Sequence, residues 1–169
     1  MESYFNGIWK DTSLECYEYS GYSLVDYINN KKPSSVLDVG CGYNRFKGKI
    51  KNLIGIDPYN DAADIKVSIE DYNTVPYDIA LCLGSINFGD EDTIDRQIDK
   101  LHTLWRREAI FRVNPGIKHT GVKYENIEWY PWTQKKIYDI AKQYNYVVKD
   151  MKIEHTDKNE LRYFFIYTK

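Results

Sequence analysis

Residues Val36 to Gly42 read VLDVGCG. Apolar residues at 36, 37 and 39 enclose a single acid, Asp38, and glycines follow at 40 and 42. A short run that is apolar on both faces suits a strand in the interior of a parallel sheet. Glycines directly after it let the backbone turn sharply and approach a ligand closely at the carboxyl edge of that sheet. Further on, Ile54-Gly55-Ile56-Asp57 repeats the pattern, with a strand that ends in a carboxylate. Together the two stretches predict a site for a nucleoside-bearing cofactor.

The order of elements around this pair predicts the architecture. Ser13 to Asn29 carries a helical stripe of Leu14, Tyr17, Leu24, Val25 and Ile28, and Pro33-Ser34-Ser35 ends it. Strands are predicted over Val36–Val39, Leu53–Ile56, Asp64–Ser68, Tyr77–Leu83 and Ala109–Val113, with a brief basic helix over Asn44–Lys51. Asp90 offers an N-cap to a helix bearing Ile94, Ile98, Leu101, Leu104 and Trp105, and Thr133 offers one to a helix bearing Ile137, Ile140, Ala141 and Tyr144. Two further strands, Tyr146–Ile153 and Leu161–Tyr167, are joined by the polar turn HTDKNE and have no helix between them. Alternating strands and helices give βαβ crossovers, and the last two strands give an antiparallel hairpin at one edge. The fold class is therefore α/β, a Rossmann-like parallel sheet with a C-terminal antiparallel hairpin. The chain reads as one domain over 1–169, with an N-terminal lid and helix region over 1–32 and a core over 33–169. The connection from Asn114 to Pro131 is long for a compact domain, which marks it as functional or disordered.

Bulk properties narrow the function. With 169 residues and a formal charge of −2, the chain lacks the basic field that collects phosphates. Non-specific nucleic-acid binding is disfavoured, and only a local patch stays open. Three cysteines, Cys16, Cys41 and Cys82, have no paired metal spacing and read as reduced, packed thiols; no metal site is expected. The start, MESYFNGIWKD, is unlike a secretory leader, and no run approaches the roughly 18 apolar residues of a membrane span. A cytoplasmic protein without membrane partners is expected. Its oligomeric state is left open.

The acid-glycine loop after the first strand, five parallel strands and a terminal hairpin resemble the class I S-adenosylmethionine-dependent methyltransferases, a seven-stranded methyltransferase fold. The resemblance runs from about Val36 to Lys169. The first motif of that family, acid-x-Gly-x-Gly-x-Gly, is met by Asp38-Val39-Gly40-Cys41-Gly42-Tyr43-Asn44, with Asn44 in place of the third glycine. The runs GIDPYN, CLGSINFGD and FRVNPG further resemble small methyltransferases carried by phages, which would place the protein in a host cytoplasm. The resemblance implies S-adenosylmethionine as cofactor. Gly40, Cys41 and Gly42 would lie against its methionyl part, and Asp38 would hold its ammonium end directly or through water. Asp57 can accept two hydrogen bonds from a ribose diol, and Pro58 and Tyr59 can pack on an adenine face. Ser68 and Ile69 would meet the adenine edge, with Ile69 the stronger of the two, and Leu83, Gly84 and Ser85 would face the methionyl group. A dinucleotide fingerprint fails because Arg45 stands where its last glycine belongs, and no phosphate-binding lysine loop is present.

On the acceptor side the sequence offers Arg112, Asn114 and His119 as candidate catalytic residues. Arg112 could clamp a carboxylate or phosphate, or pair with an acid such as Asp78 or Glu108. His119 could act as a base or simply be solvated. Trp129, Tyr130 and Trp132 could stack on a flat acceptor or belong to the core. Tyr4, Phe5 and Trp9 could form a lid. The Asp/Asn-Pro-Pro-Tyr/Phe motif of amino-directed DNA methyltransferases is absent after the fourth predicted strand, where Gly84-Ser85-Ile86-Asn87-Phe88 stands, and there is no Pro-Cys nucleophile. A small-molecule acceptor is the first expectation. A nucleic-acid or protein acceptor, another reaction on the same cofactor, and binding without catalysis are the alternatives.

Overall fold

The computed structural model describes residues 4–5, 20–115, 127–155 and 161–169, the side chains of Ser20 and His155 excepted. A 3-10 turn, Ser20–Ser23, leads into α1 (Leu24–Asn30). Then follow β1 (Val36–Val39), β2 (Leu53–Ile56), β3 (Tyr77–Leu83), α2 (Glu91–His102), β4 (Trp105–Val113), α3 (Gln134–Tyr144), β5 (Val147–His155) and β6 (Leu161–Thr168). The six strands form one sheet in the order β2-β1-β3-β4-β6-β5. The first four are parallel, and β6 and β5 are antiparallel to their neighbours, as the helix-free hairpin requires.

Side chains alternate between the two faces. Leu37, Val39, Ala80, Cys82, Phe111, Phe165 and Tyr167 pack with Ile94, Ile98 and Leu101 of α2 and Ile137, Ile140 and Ala141 of α3. Val36, Leu53, Ile79, Leu81, Ile110 and Phe164 pack on the other face with Leu24 and Ile28 of α1 and with Phe46 and Ile50. Both helices begin where their caps predict. Asp90 accepts the Thr93 N–H at 2.8 Å and Thr133 accepts the Lys136 N–H at 3.1 Å.

Four predicted elements differ. Of the helix expected over Ser13–Asn29, residues 13–19 lie outside the described residues and Ser20–Ser23 is a 3-10 turn ahead of α1. The expected strand over Asp64–Ser68 is a single bridge between Ile56 and Ile65 at the outer edge of β2, so the parallel part has four strands rather than five and the sheet six. Among the described residues only Gly55 and Asp57 make backbone hydrogen bonds to that segment, and Ile65 is left 40% exposed, so extending the pairing would bury little. The expected helix over Asn44–Lys51 is a series of turns. Asn44 (φ 52°) and Gly48 (φ 77°) lie in the left-handed region, which a right-handed helix does not admit. Trp105 opens β4 instead of closing α2, because the helix ends at His102 with Thr103 as its cap.

Candidate functional site

Strand order reverses between β1 and β3, since the chain goes from β1 out to β2 and then returns to the far side of β1. In open α/β sheets the carboxyl ends beside such a reversal form the ligand crevice. The residues there are the loop after β1, Asp57 after β2, and Gly84-Ser85 after β3.

The loop after β1 places Gly40 (φ 63°), Gly42 (φ 53°) and Asn44 (φ 52°) alternately in the left-handed region. This accounts for the missing third glycine, because asparagine tolerates that conformation better than other side chains. The Asn44 amide donates to the Ala62 carbonyl at 3.0 Å and to Asp64 Oδ2 at 3.2 Å, which fixes the turn against the loop after β2. The Cys41 N–H donates to the Ile56 carbonyl and the Gly42 N–H to Asp57 Oδ2, both at 3.0 Å. Cys41 is a packed thiol. Burial and the charges of Asp38, Asp57 and Asp64 raise its pKa far above the ordinary value, so it is no nucleophile at neutral pH.

Asp38 lies inside β1 between Gly55 and Leu81 and is 2% exposed. Among the described residues its Oδ2 has no hydrogen-bond partner, and neither has the buried Oγ of Ser85. Burial, reinforced by the charge of Asp57, pushes the Asp38 carboxyl up to about 8. An unpartnered buried carboxyl oxygen is rare in native proteins and calls for a partner from outside the chain. Gly40 lies against Ser85. A Cβ on it would stand 2.4 Å from Ser85 Cβ, so the loops after β1 and β3 touch at this point through the absent side chain.

Asp57 serves the loop first. Its Oδ1 accepts the N–H groups of Tyr59 (2.8 Å) and Asn60 (2.9 Å), and its Oδ2 accepts Gly42 N–H. A carboxylate offers about four lone-pair directions, so capacity for a diol hydroxyl is left over. Asp57→Ala is expected to destabilise the ligand-free protein by about 2 kcal/mol, because three N–H groups lose a charged acceptor. Urea denaturation without ligand measures this, and an unchanged midpoint would contradict it.

The other predicted cofactor residues are distributed as follows. Pro58 and Tyr59 are half-buried, and the Tyr59 ring stacks on Phe5 at 5.6 Å between centroids. Phe5 also meets Phe88 edge-on at 5.1 Å, so it connects the loops after β2 and β3. Ser68 is turned to Asp71, accepting its N–H and donating to its carboxylate. The Ile69 side chain is in the core, which leaves only its backbone for a ligand edge. Leu83, Gly84 and Ser85 end β3, with Gly84 N–H donating to the Arg112 carbonyl at 2.9 Å.

On the acceptor side Arg112 ends β4 beside Leu83. Its guanidinium pairs with Glu154 of β5 at 2.8 Å and is 14% exposed. The acids named as its possible partners are engaged elsewhere: Asp78 with Arg106 at 2.7 Å, and Glu108 with Lys31 at 2.7 Å. Asn114 is buried, and its N–H donates to Asn87 Oδ1 at 2.9 Å. Tyr130 and Trp132 are core residues, with Trp132 Nε1 donating to the Ile86 carbonyl at 2.9 Å; only Trp129 packs on Phe88. His119 and Trp9 lie outside the described residues. The bonding roles of Glu154 and Asn87 and the Gly40–Ser85 contact were not foreseen. Asn87 had a signal, a polar residue closing an apolar stretch, whereas Glu154 reaches Arg112 only through the β6-β5 hairpin and had none.

No protein-family profile and no curated protein sequence matches the chain. Solved structures do. The magnesium protoporphyrin IX methyltransferase of Synechocystis PCC 6803, crystallised with S-adenosylmethionine, superposes with a TM-score of 0.76 over 99% of this chain and 94% of that one, at 13% identity. The fold is that of the class I methyltransferases. The 1,6-didemethyltoxoflavin-N1-methyltransferase of Burkholderia thailandensis, bound to its substrate and S-adenosylhomocysteine, gives a TM-score of 0.69 at 15% identity, over 99% of this chain and 84% of that one. A small RNA methyltransferase gives 0.65 at 15% identity, over 93% of this chain and 26% of that one. Within this methyltransferase fold, no helix among the described residues is long and apolar enough to cross a membrane. The described residues hold no cluster of three or more His, Cys, Asp or Glu able to hold a metal.

Proposed function

We propose that the chain is an S-adenosylmethionine-dependent methyltransferase with a small-molecule acceptor. The observation that carries this reading is the unpartnered, buried Asp38 carboxyl oxygen at the foot of the glycine loop. A cationic ammonium is the chemistry that would complete it. Two of the structural neighbours act on small molecules by their names and one on RNA, which supports the fold-level reading and favours the first acceptor class.

When bound, S-adenosylmethionine supplies a methyl group already activated by the positive sulfonium. The protein's contribution is then positioning. Asp38 would hold the ammonium end, Gly40 and Gly42 keep the backbone clear of side chains, and Asp57 takes a ribose hydroxyl while it fixes the loop. Tyr59, stacked on Phe5, would border the base. Leu83 to Ser85 wall the crevice opposite the loop. The Arg112–Glu154 pair at the end of β4 presents a cation and an anion together, suited to orienting a polar acceptor. The cross-bonds among Asn87, Asn114 and residues 128–132 hold that rim rigid, as positioning requires.

The test is transfer of a tritiated methyl group to a panel of metabolites, after a thermal-shift comparison of S-adenosylmethionine, S-adenosylhomocysteine and NAD. The reading predicts stabilisation by the first two alone and counts on an acceptor. Stabilisation by NAD alone would overturn it. Tight binding of S-adenosylmethionine with no transfer to any acceptor class would leave a binding protein in its place.

A further inference from the structure

The segment between the glycine loop and β2 carries Arg45, Lys47, Lys49 and Lys51, with no acid between Asp38 and Asp57. Lys32 stands just before β1. The fold brings these onto one flank. The Asn29 side chain at the end of α1 donates to the Lys49 carbonyl at 2.8 Å and accepts the Lys51 N–H at 3.0 Å. Asn52 reaches across to the Pro33 carbonyl at 3.0 Å. Phe46 and Ile50 anchor the segment in the core. Lys32, Lys47, Lys49 and Lys51 are all exposed. Among the described residues the one ion pair made by these five cations is Lys47 with Asp64, whose carboxylate also serves Gly55 N–H and Asn44. Lys49 lies over the Tyr22 ring at 5.3 Å and Arg45 over Tyr43 at 5.7 Å. The first contact holds the Lys49 side chain at the surface and reduces the rotamer entropy lost on binding, whereas Arg45 is half-buried with its Nη2 inaccessible.

We propose that this flank is a docking surface for single-stranded nucleic acid, gripped through its phosphates. The net charge of −2 does not oppose this, because fields are screened beyond about 8 Å at physiological salt and the flank acts locally. Cations interleaved with tyrosine rings suit a strand whose bases are unstacked. A lipid surface fits less well. Among the described residues, Tyr22 is the one large exposed apolar residue on this flank, too little to anchor in a bilayer. The inference concerns binding and does not rest on the proposed methyl transfer.

Fluorescence anisotropy with a labelled 20-nucleotide single-stranded RNA, and the same sequence as DNA, tests it on the full chain across a salt series. Binding should weaken with salt at about −0.7 in log–log slope per phosphate contacted. The variant Lys32→Gln/Lys49→Gln/Lys51→Gln removes three charges that have no ion-pair partner among the described residues, and should bind at least tenfold more weakly with a slope reduced by about 2. Its melting temperature should match the parent, and Lys→Arg at the same positions should keep the affinity. No binding by the parent at 50 mM salt, or equal binding by the glutamine variant, would overturn the proposal. So would capture by phosphatidylserine vesicles without binding to either oligonucleotide.

Discussion

Asp38→Asn will make the ligand-free protein more stable and the proposed site nearly useless. The carboxyl lies in the middle of the sheet with one oxygen unpartnered, and burial has pushed it up to about 8. A raised carboxyl means the unfolded chain gives up its proton first. The native state therefore loses stability as pH rises from about 4 to about 8, and the loss levels off above that. An amide in the same place does not titrate. The variant should match the parent near pH 4 and pull ahead with rising pH, by at least about 2 kcal/mol, or about 5 °C in melting temperature, at pH 8.5. Binding of S-adenosylmethionine should move the other way. Loss of a charge-assisted hydrogen bond to the ammonium costs about 1.5–3 kcal/mol, on the order of 100-fold in affinity. In the parent protein that affinity should rise with pH up to about 8, with a proton released on binding, because Asp38 must ionise to meet a cation. Calorimetry in buffers of different ionisation enthalpy reads the proton. Unchanged affinity in the variant, or no proton release, would remove Asp38 from the site.

Gly40→Ala should be among the most damaging single-methyl additions in the chain. At φ 63° any side chain is strained, by about 1–2 kcal/mol. The new Cβ would also stand 2.4 Å from Ser85 Cβ and 3.4 Å from its Cα, an overpacking that costs about 1–3 kcal/mol more. The expected sum is about 3 kcal/mol, or roughly 10 °C in melting temperature. Gly48→Ala is the control. Its φ is 77° but nothing lies within 4 Å, so only the strain should appear, about 1 kcal/mol. Adding Ser85→Gly to Gly40→Ala should recover the overpacking part and leave the strain. Equal losses at positions 40 and 48 would mean that the loops after β1 and β3 do not touch as described.

These two residues also mark how far the sequence could be read. β1, β2 and β3 fall on their predicted residues because each is an apolar run bounded by a turn or a glycine. The alternation in DIKVS looked like a strand as well, but a strand needs a partner along its length, and beyond Ile65 that segment has none. Trp105 fits a helical stripe and a buried strand equally well, since its ring enters the same core either way. The left-handed turn at Asn44 was legible as a departure from a motif, while its reason, bonds to Ala62 and Asp64, was not. Asp57 reads from the sequence as a sugar ligand; its three backbone bonds add a turn-fixing role, and the sugar role rests on the lone pair left over. The pairing of Arg112 with Glu154 depends on how β6 and β5 register, which no local pattern encodes.

A crystal structure grown with S-adenosylhomocysteine tests the central claim most directly. The account predicts density across the Gly40–Gly42 loop, with the ligand ammonium within hydrogen-bond distance of Asp38 and a ribose hydroxyl at Asp57. Density at another edge of the sheet, or a bound ligand whose ammonium leaves Asp38 alone, would contradict it.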